Sequence, residues 1–207
     1  ALATDCTRGN PNAPLSWAPD QAGGDMRFAT MLTPEGINCC DADFLPENGT
    51  FYFHADPMEW VTVGLTFAIH EAVWDNGAQA LVPGAERCRT ADGWVVIVDI
   101  PGEYQVTIPP SPELPGFEGC DGLASDQPWF VVFHAEFDNA DVLLDVGTAG
   151  PAIHDAYFLS QDDGPWLDLS EDLGWNSGPV LNVGVTCTSQ PVATQARSWS
   201  EVKAIHR

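Results

Sequence analysis

Two stretches of strict alternation, far apart in the chain, constrain the fold more than any other feature. Residues Trp60 to His70 read W-V-T-V-G-L-T-F-A-I-H. Val61, Val63, Leu65, Phe67 and Ile69 fall on one side of an extended chain, and Thr62, Gly64, Thr66, Ala68 and His70 on the other. Trp129 to Phe137 repeat the pattern: Trp129, Val131, Phe133, Ala135 and Phe137 share a face, and Phe130, Val132, His134 and Glu136 share the other. Successive side chains of a strand point to opposite faces, so a period of two predicts strands with one face on a core. These two stretches are therefore expected to be the central strands of a β-sheet protein.

Shorter segments fit the same picture. Met26–Leu32, Thr50–His54, Val142–Val146, Ala156–Leu159, Trp166–Leu169 and Val180–Thr186 read as strands. Asn48-Gly49 reads as a turn before Thr50. Pro101-Gly102 reads as the tight turn of a hairpin joining Trp94–Ile100 to Glu103–Ile108. After Gly77 a long loop is expected up to Gly93. The expected fold is all-β: an antiparallel two-sheet β-sandwich of about eight to ten strands, jelly-roll-like and disulfide-bridged. Residues 26–190 form the sandwich domain. They are preceded by an extended, Pro- and Gly-punctuated segment (1–25) and followed by a tail (191–207).

Charge excludes whole classes of partner. Thirty acidic residues face seven basic ones, a formal net charge of −23, and Lys203 is the only lysine. Nucleic acid and anionic membrane surfaces are bound through basic patches, so neither is expected as a partner. No stretch approaches the ~18 consecutive apolar residues of a membrane span. An acidic exterior suits an extracellular setting and attracts cations.

Six cysteines stand at Cys6, Cys39, Cys40, Cys88, Cys120 and Cys187, with no C-x-x-C pair among them. An even, dispersed set belongs to an oxidising compartment rather than to a zinc ribbon or a redox site. Neighbouring cysteines are poorly placed to bond each other, so Cys39 and Cys40 are expected to tie separate segments to one point. Six cysteines allow 15 pairings and the sequence does not choose among them; the working expectation is Cys88 with Cys120, and Cys6 and Cys187 with the Cys39-Cys40 pair. The chain opens at Ala1 with no basic-then-apolar leader, which suggests a mature exported protein whose signal peptide has been removed.

The last ten residues, S-W-S-E-V-K-A-I-H-R, open on a capping-box pattern, Ser198-x-x-Glu201, and predict a short C-terminal helix. Arg197, Lys203 and Arg207 place three of the seven basic residues in the final eleven positions. This tail resembles the T/S-W…K-A-x-x-R endings of uncharacterised secreted bacterial β-sandwich proteins. The resemblance covers about ten residues and implies a bacterial exported protein and no activity; the expected location is extracellular, at the bacterial cell surface.

Several constellations carry possible chemistry. Glu136-Phe137-Asp138-Asn139-Ala140-Asp141 resembles the E-x-D-x-x-E strand of retaining glycosidases built on concanavalin-like jelly rolls, with Glu136, Asp138 and Asp141 as the acidic set. Asp141 stands where the family has Glu, and a solvated strand end is the plainer reading. His70-Glu71 begins a zinc-protease H-E-x-x-H, but Trp74 occupies the second ligand position. His70 and His134 lie on the less apolar faces of the two central strands, where they are structural histidines or a metal pair. Asp162, Asp163 and Asp168, with Glu171 and Asp172 nearby, offer oxygens for calcium, as do Asp41, Asp43 and Glu47. Neither set has EF-hand spacing. Trp166 and Trp175, in a Gly/Asp/Asn-rich region, are the expected ligand-stacking surface tryptophans; Trp60, Trp94 and Trp129 head strands and are expected in the core. Asn48-Gly49-Thr50 has the form of a glycosylation sequon.

No serine-hydrolase elbow, phosphate loop or dinucleotide fingerprint occurs. The leading expectation is a non-catalytic extracellular structural or adhesion protein. Its partner is then a second copy or another extracellular protein, and its N-terminal segment would let it assemble by strand addition into a filament. The alternative is a carbohydrate-binding β-sandwich, with or without calcium, and the third is a jelly-roll glycoside hydrolase. None of these requires a cofactor.

Overall fold

The computed structural model describes residues 5–8, 16–17, 21–22, 25–32, 43–55, 61–90, 94–98, 102–108, 120, 122–137, 143–149, 157–162, 164–179 and 181–187. The described part is all-β, with two antiparallel sheets and no helix. The expected C-terminal helix, and Cys39 and Cys40, lie outside the described residues.

The seven-stranded sheet is built on β6 (Val61–Asp75) and β10 (Trp129–Phe137), the two alternating stretches. Its order is β13 (Leu167–Asp168), β12 (Tyr157–Gln161), β4 (Asp25–Leu32), β10, β6 and β7 (Ala80–Arg89), with β8 (Trp94–Val98) also on β6. β8 pairs residues 61–65 of β6 and β7 pairs residues 68–75, so the two share one side of β6 end to end. The eight-stranded sheet is built on β5 (Phe44–Ala55). One side of β5 carries β9 (Gly102–Ile108), and the other carries β15 (Leu181–Cys187) followed by β11 (Leu143–Ala149). β14 (Gly178–Pro179) pairs with β11.

The described residues before β4 form short strands that add to this chain's own sheet. β1 (Asp5–Arg8) pairs with β15, and β2 (Ser16–Trp17) and β3 (Gln21–Ala22) pair with β11. All three run antiparallel to strands that are themselves antiparallel to β5, so the segment follows the direction of β5 along successive neighbours.

Period-two patterning places the core where it was expected, between the sheets. Phe28, Phe133 and Phe67 stand opposite one another across β4, β10 and β6 and are fully buried. From the other sheet, Phe51 stacks on Phe133 with ring centroids 3.8 Å apart. Phe53, Ile108, Leu181, Val183 and Val185 complete that inner face. Cys88 and Cys120 form the expected disulfide, with Cα atoms 5.2 Å apart. Cys187 is also disulfide-bonded.

Three turn expectations are corrected. Pro101-Gly102 does not make a hairpin: β8 belongs to the seven-stranded sheet and β9 to the other, so the chain changes sheet between them. Asn48-Gly49 lies within β5. Gly49 is there because the ring of Phe67 occupies the space a Cβ would take, and Asn48 packs over Gly184 beside a bulge in the β5–β15 ladder. Thr50 is buried and bonded to the Thr107 hydroxyl at 2.9 Å, so this sequon sits in a paired strand rather than an open loop. The region after Gly77 is strand, not loop. β6 and β7 form a hairpin around residues 76–79, where Asp75 Oδ1 accepts the N–H groups of Gly77 (2.6 Å) and Ala78 (3.1 Å). Pro83 and Gly84 hid that strand; they are accommodated where the ladder slips between Ile69 and Ala72.

Candidate ligand-binding face

The outer face of the seven-stranded sheet carries side chains in rows set by strand register. Ser160, Arg27, His134 and Thr66 stand side by side across β12, β4, β10 and β6. The next row toward one end of the sheet is Asp25, Glu136 and Gly64. Toward the other end, Phe158, Ala29, Val132 and Ala68 form an apolar row, followed by Met31, Phe130 and His70. One half of the face is thus polar and the other apolar.

Trp166 covers the apolar half. It follows β12 in the chain, yet packs on the cluster of Ala29, Ala68, Phe130, Val132 and Phe158 and meets His70 of β6 edge-on, ring centroids 6.5 Å apart. Trp166 directly precedes β13, which pairs with β12 at the sheet edge, so it is the Trp166 side chain that reaches inward over the face toward β6. Beneath it Phe130 and Phe158 meet edge-to-face at 5.6 Å. His70 Nδ1 lies 2.8 Å from the carbonyl oxygen of Gly84; a carbonyl only accepts, so Nδ1 carries the proton. Burial lowers the His70 pKa from its ordinary 6.5. The Gly84 hydrogen bond and Glu86 act in the opposite direction, and Arg27 and Arg89 add to the lowering.

The polar half is half-exposed. Asp25 Oδ1 lies 2.8 Å from His134 Nε2 and 3.6 Å from Arg27 Nε, with the three side chains 26–29% exposed. Glu136, directly opposite Asp25, is exposed. The Ser160 hydroxyl donates to the Gly164 carbonyl at 2.8 Å, which holds the chain leading into Trp166. The Asp162 N–H donates to the Asp25 carbonyl at 3.0 Å and fastens the same segment to β4. Ser160 is itself buried, so Asp25, Arg27, His134 and Glu136 make the shelf of planar donors and acceptors beside an aromatic ring, an arrangement suited to a polyhydroxylated ligand.

Of the residues singled out from sequence, Trp166, Glu136, His70 and His134 lie on this face. Asp138, Asp141 and Asp163 lie outside the described residues. Trp175 is a correction: it is 8% exposed, packs beside Phe28 with centroids 6.3 Å apart, and belongs to the inter-sheet core. Asp162 and Asp168 differ in their surroundings. Asp162 is exposed, with a left-handed backbone (φ 48°). Asp168 is 7% exposed and folds its own turn: its Oδ1 accepts from the Ser170 N–H (2.8 Å), the Ser170 hydroxyl (2.7 Å) and the Glu171 N–H (3.0 Å). His70 and His134 share the face but stand four residues apart along the strands, roughly 13 Å. Among the described residues no group of three or more His, Cys, Asp or Glu side chains is placed to hold a metal.

Asp25, Arg27 and Ser160 were missed. The alternation D-M-R-F-A-T-M-L does put Asp25 and Arg27 opposite Met26 and Phe28, but nothing local shows that β10 brings His134 and Glu136 beside them.

Fold and site define a disulfide-bridged antiparallel β-sandwich with a half-polar, Trp-covered outer sheet face. No family model matches the chain, and no curated protein matches it. Among solved structures it is similar to the cysteine protease and lectin-like domains of Cwp84, a surface layer associated protein of Clostridium difficile. That match has 7% identity and a TM-score of 0.46, over 86% of this chain and 37% of that one. A chain of Broad Bean Stain Virus matches at 15% identity and a TM-score of 0.24, over 77% of this chain and 92% of that one. Neither likeness bears on function.

Proposed function

We propose that this protein is a non-catalytic extracellular recognition domain that binds carbohydrate across the outer face of the seven-stranded sheet. The observation that carries this is the alignment of Arg27, His134 and Thr66 in one row beside the Trp166-covered apolar half. Sugars are held by planar hydrogen-bonding side chains that read hydroxyl pairs and by an aromatic surface that meets the C–H face of the ring. The disulfides support an oxidising, extracellular setting. A glycan array followed by calorimetry on the best hit tests it. Arg27→Ala and Trp166→Ala should each weaken binding by about tenfold or more, the equivalent of one good hydrogen bond or stacking contact. Unchanged affinity in both variants, or no binding to any glycan, sinks the reading.

A second reading is a self-assembling structural or adhesion subunit at the bacterial cell surface. It is favoured by the N-terminal segment, which joins the body as short strands of four, two and two residues. A segment that adds to its own sheet by main-chain pairing can add in the same register to a neighbour's. Negative-stain electron microscopy with light scattering tests it: filaments lost on deletion of residues 1–22 support the exchange, and a monomer at high concentration removes it.

A further inference from the structure

Among the described residues β8 is an edge strand without the usual protection. Among the described residues it pairs only with β6. Its sequence, W-V-V-I-V, contains no charge, proline or glycine, although the chain as a whole carries a net charge of −23. Val95 is 54% and Ile97 62% exposed. The other strand on that side of β6 is guarded: β7 carries Pro83, Glu86, Arg87 and Arg89 and two slips in its ladder. β9, at the edge of the other sheet, alternates its apolar residues with exposed Glu103, Gln105 and Thr107. Edge strands are normally blunted by such devices because a bare one templates pairing with another chain.

We infer that β8 is the contact of a two-fold dimer, in which the β8 strands of two copies pair antiparallel and join the two seven-stranded sheets into one. A two-fold interface must be self-complementary. Antiparallel pairing centred on Val96 meets that condition, since it sets Val95 of each copy opposite Ile97 of the other, giving β-branched cross-strand pairs on the outer face. Two copies of so acidic a chain repel each other broadly, and an uncharged strand is where they can approach. The dimer would place the two outer faces, and therefore two copies of the Arg27–His134 row, on one continuous surface. The inference does not depend on what that row binds.

A five-residue ladder lies at the small end of interfaces, so association should be measured up to about 1 mM. Sedimentation equilibrium at low and high salt should show a monomer–dimer equilibrium that tightens with salt, because screening relieves the repulsion between like-charged copies. Ile97→Lys should raise the dissociation constant by about tenfold or more, with the melting temperature of the monomer unchanged. The double variant Val95→Thr, Ile97→Thr keeps β-branching and removes apolar area; it should weaken the dimer in the same direction if the lysine variant does not fold. Trp74→Ser, at the exposed β6–β7 tip, should leave the dimer intact. A monomer at every concentration and salt overturns the inference. So does a dimer that survives the β8 variants or is lost with Trp74→Ser.

Discussion

The ring of Phe67 lies over Gly49 so closely that a Cβ built at position 49 would fall less than 3.0 Å from three ring atoms. Phe67 belongs to one sheet and Gly49 to the other, so this contact sets the local separation of the sandwich. Gly49→Ala should destabilise the fold by about 1–3 kcal/mol, the usual cost of overpacking, because both the strand and the ring are fixed by their neighbours. Urea denaturation measures it. A midpoint unchanged from wild type would mean that the sheets separate more easily than their packing implies.

The Cys88–Cys120 bridge spans 32 residues and anchors β7 to the chain that precedes β10. Closing a loop of that length in the unfolded chain is worth about 3–4 kcal/mol on the chain-entropy account. Replacing both cysteines with alanine should lower the unfolding free energy by roughly that amount, with the β signature in circular dichroism retained.

His70 ties stability to pH. Its folded-state pKa is lowered by burial, so the unfolded chain binds the proton more tightly. The stabilisation from neutral His70 is therefore fully present above about pH 6.5 and is lost as pH falls from there through the lowered folded-state pKa. Glu86, Arg27 and Arg89 are the charged groups that set how far it is lowered. Melting temperatures of wild type and His70→Gln, compared from pH 8 to 5, should show the wild type losing more stability on acidification. Parallel curves would show that His70 does not titrate with unfolding.

The two tryptophans of the 166–175 region should behave differently. Trp175→Ala empties a core position and should cost about 3–5 kcal/mol. Trp166 is only partly buried and lies on the outer-face cluster. Trp166→Ala should cost clearly less stability and should instead remove ligand binding. Chemical denaturation and calorimetry on both variants separate the effects, and equal losses of stability would contradict the assignment.

Asp168 is a turn residue by its bonds: one carboxylate oxygen accepts from the backbone and hydroxyl of Ser170 and from the backbone of Glu171. Asp168→Ala should cost about 1–3 kcal/mol by leaving those donors unmet. The loss should be the same with excess calcium as with EDTA; a loss seen only with calcium would place an ion there.

Much of the architecture was legible locally. The alternation in 61–69 and 129–137 predicts both central strands and their inner faces, because the pleat repeats every two residues whatever the strand pairs with. The candidate site was legible only in pieces. Trp166 and Glu136 were named, whereas Asp25 and Arg27 were not, since the row they complete exists only once β4 and β10 are in register.

By itself, then, the sequence determined the all-β class, the faces of the long strands and a net charge of −23. The tertiary structure alone decided that β8 and β9 enter different sheets, that Asn48-Gly49 is strand and that Trp175 is core. The physical reason is common to all three. A glycine marks a turn and a close approach of another side chain with the same letter. Strand pairing and burial are set by partners many residues away, which no local pattern contains.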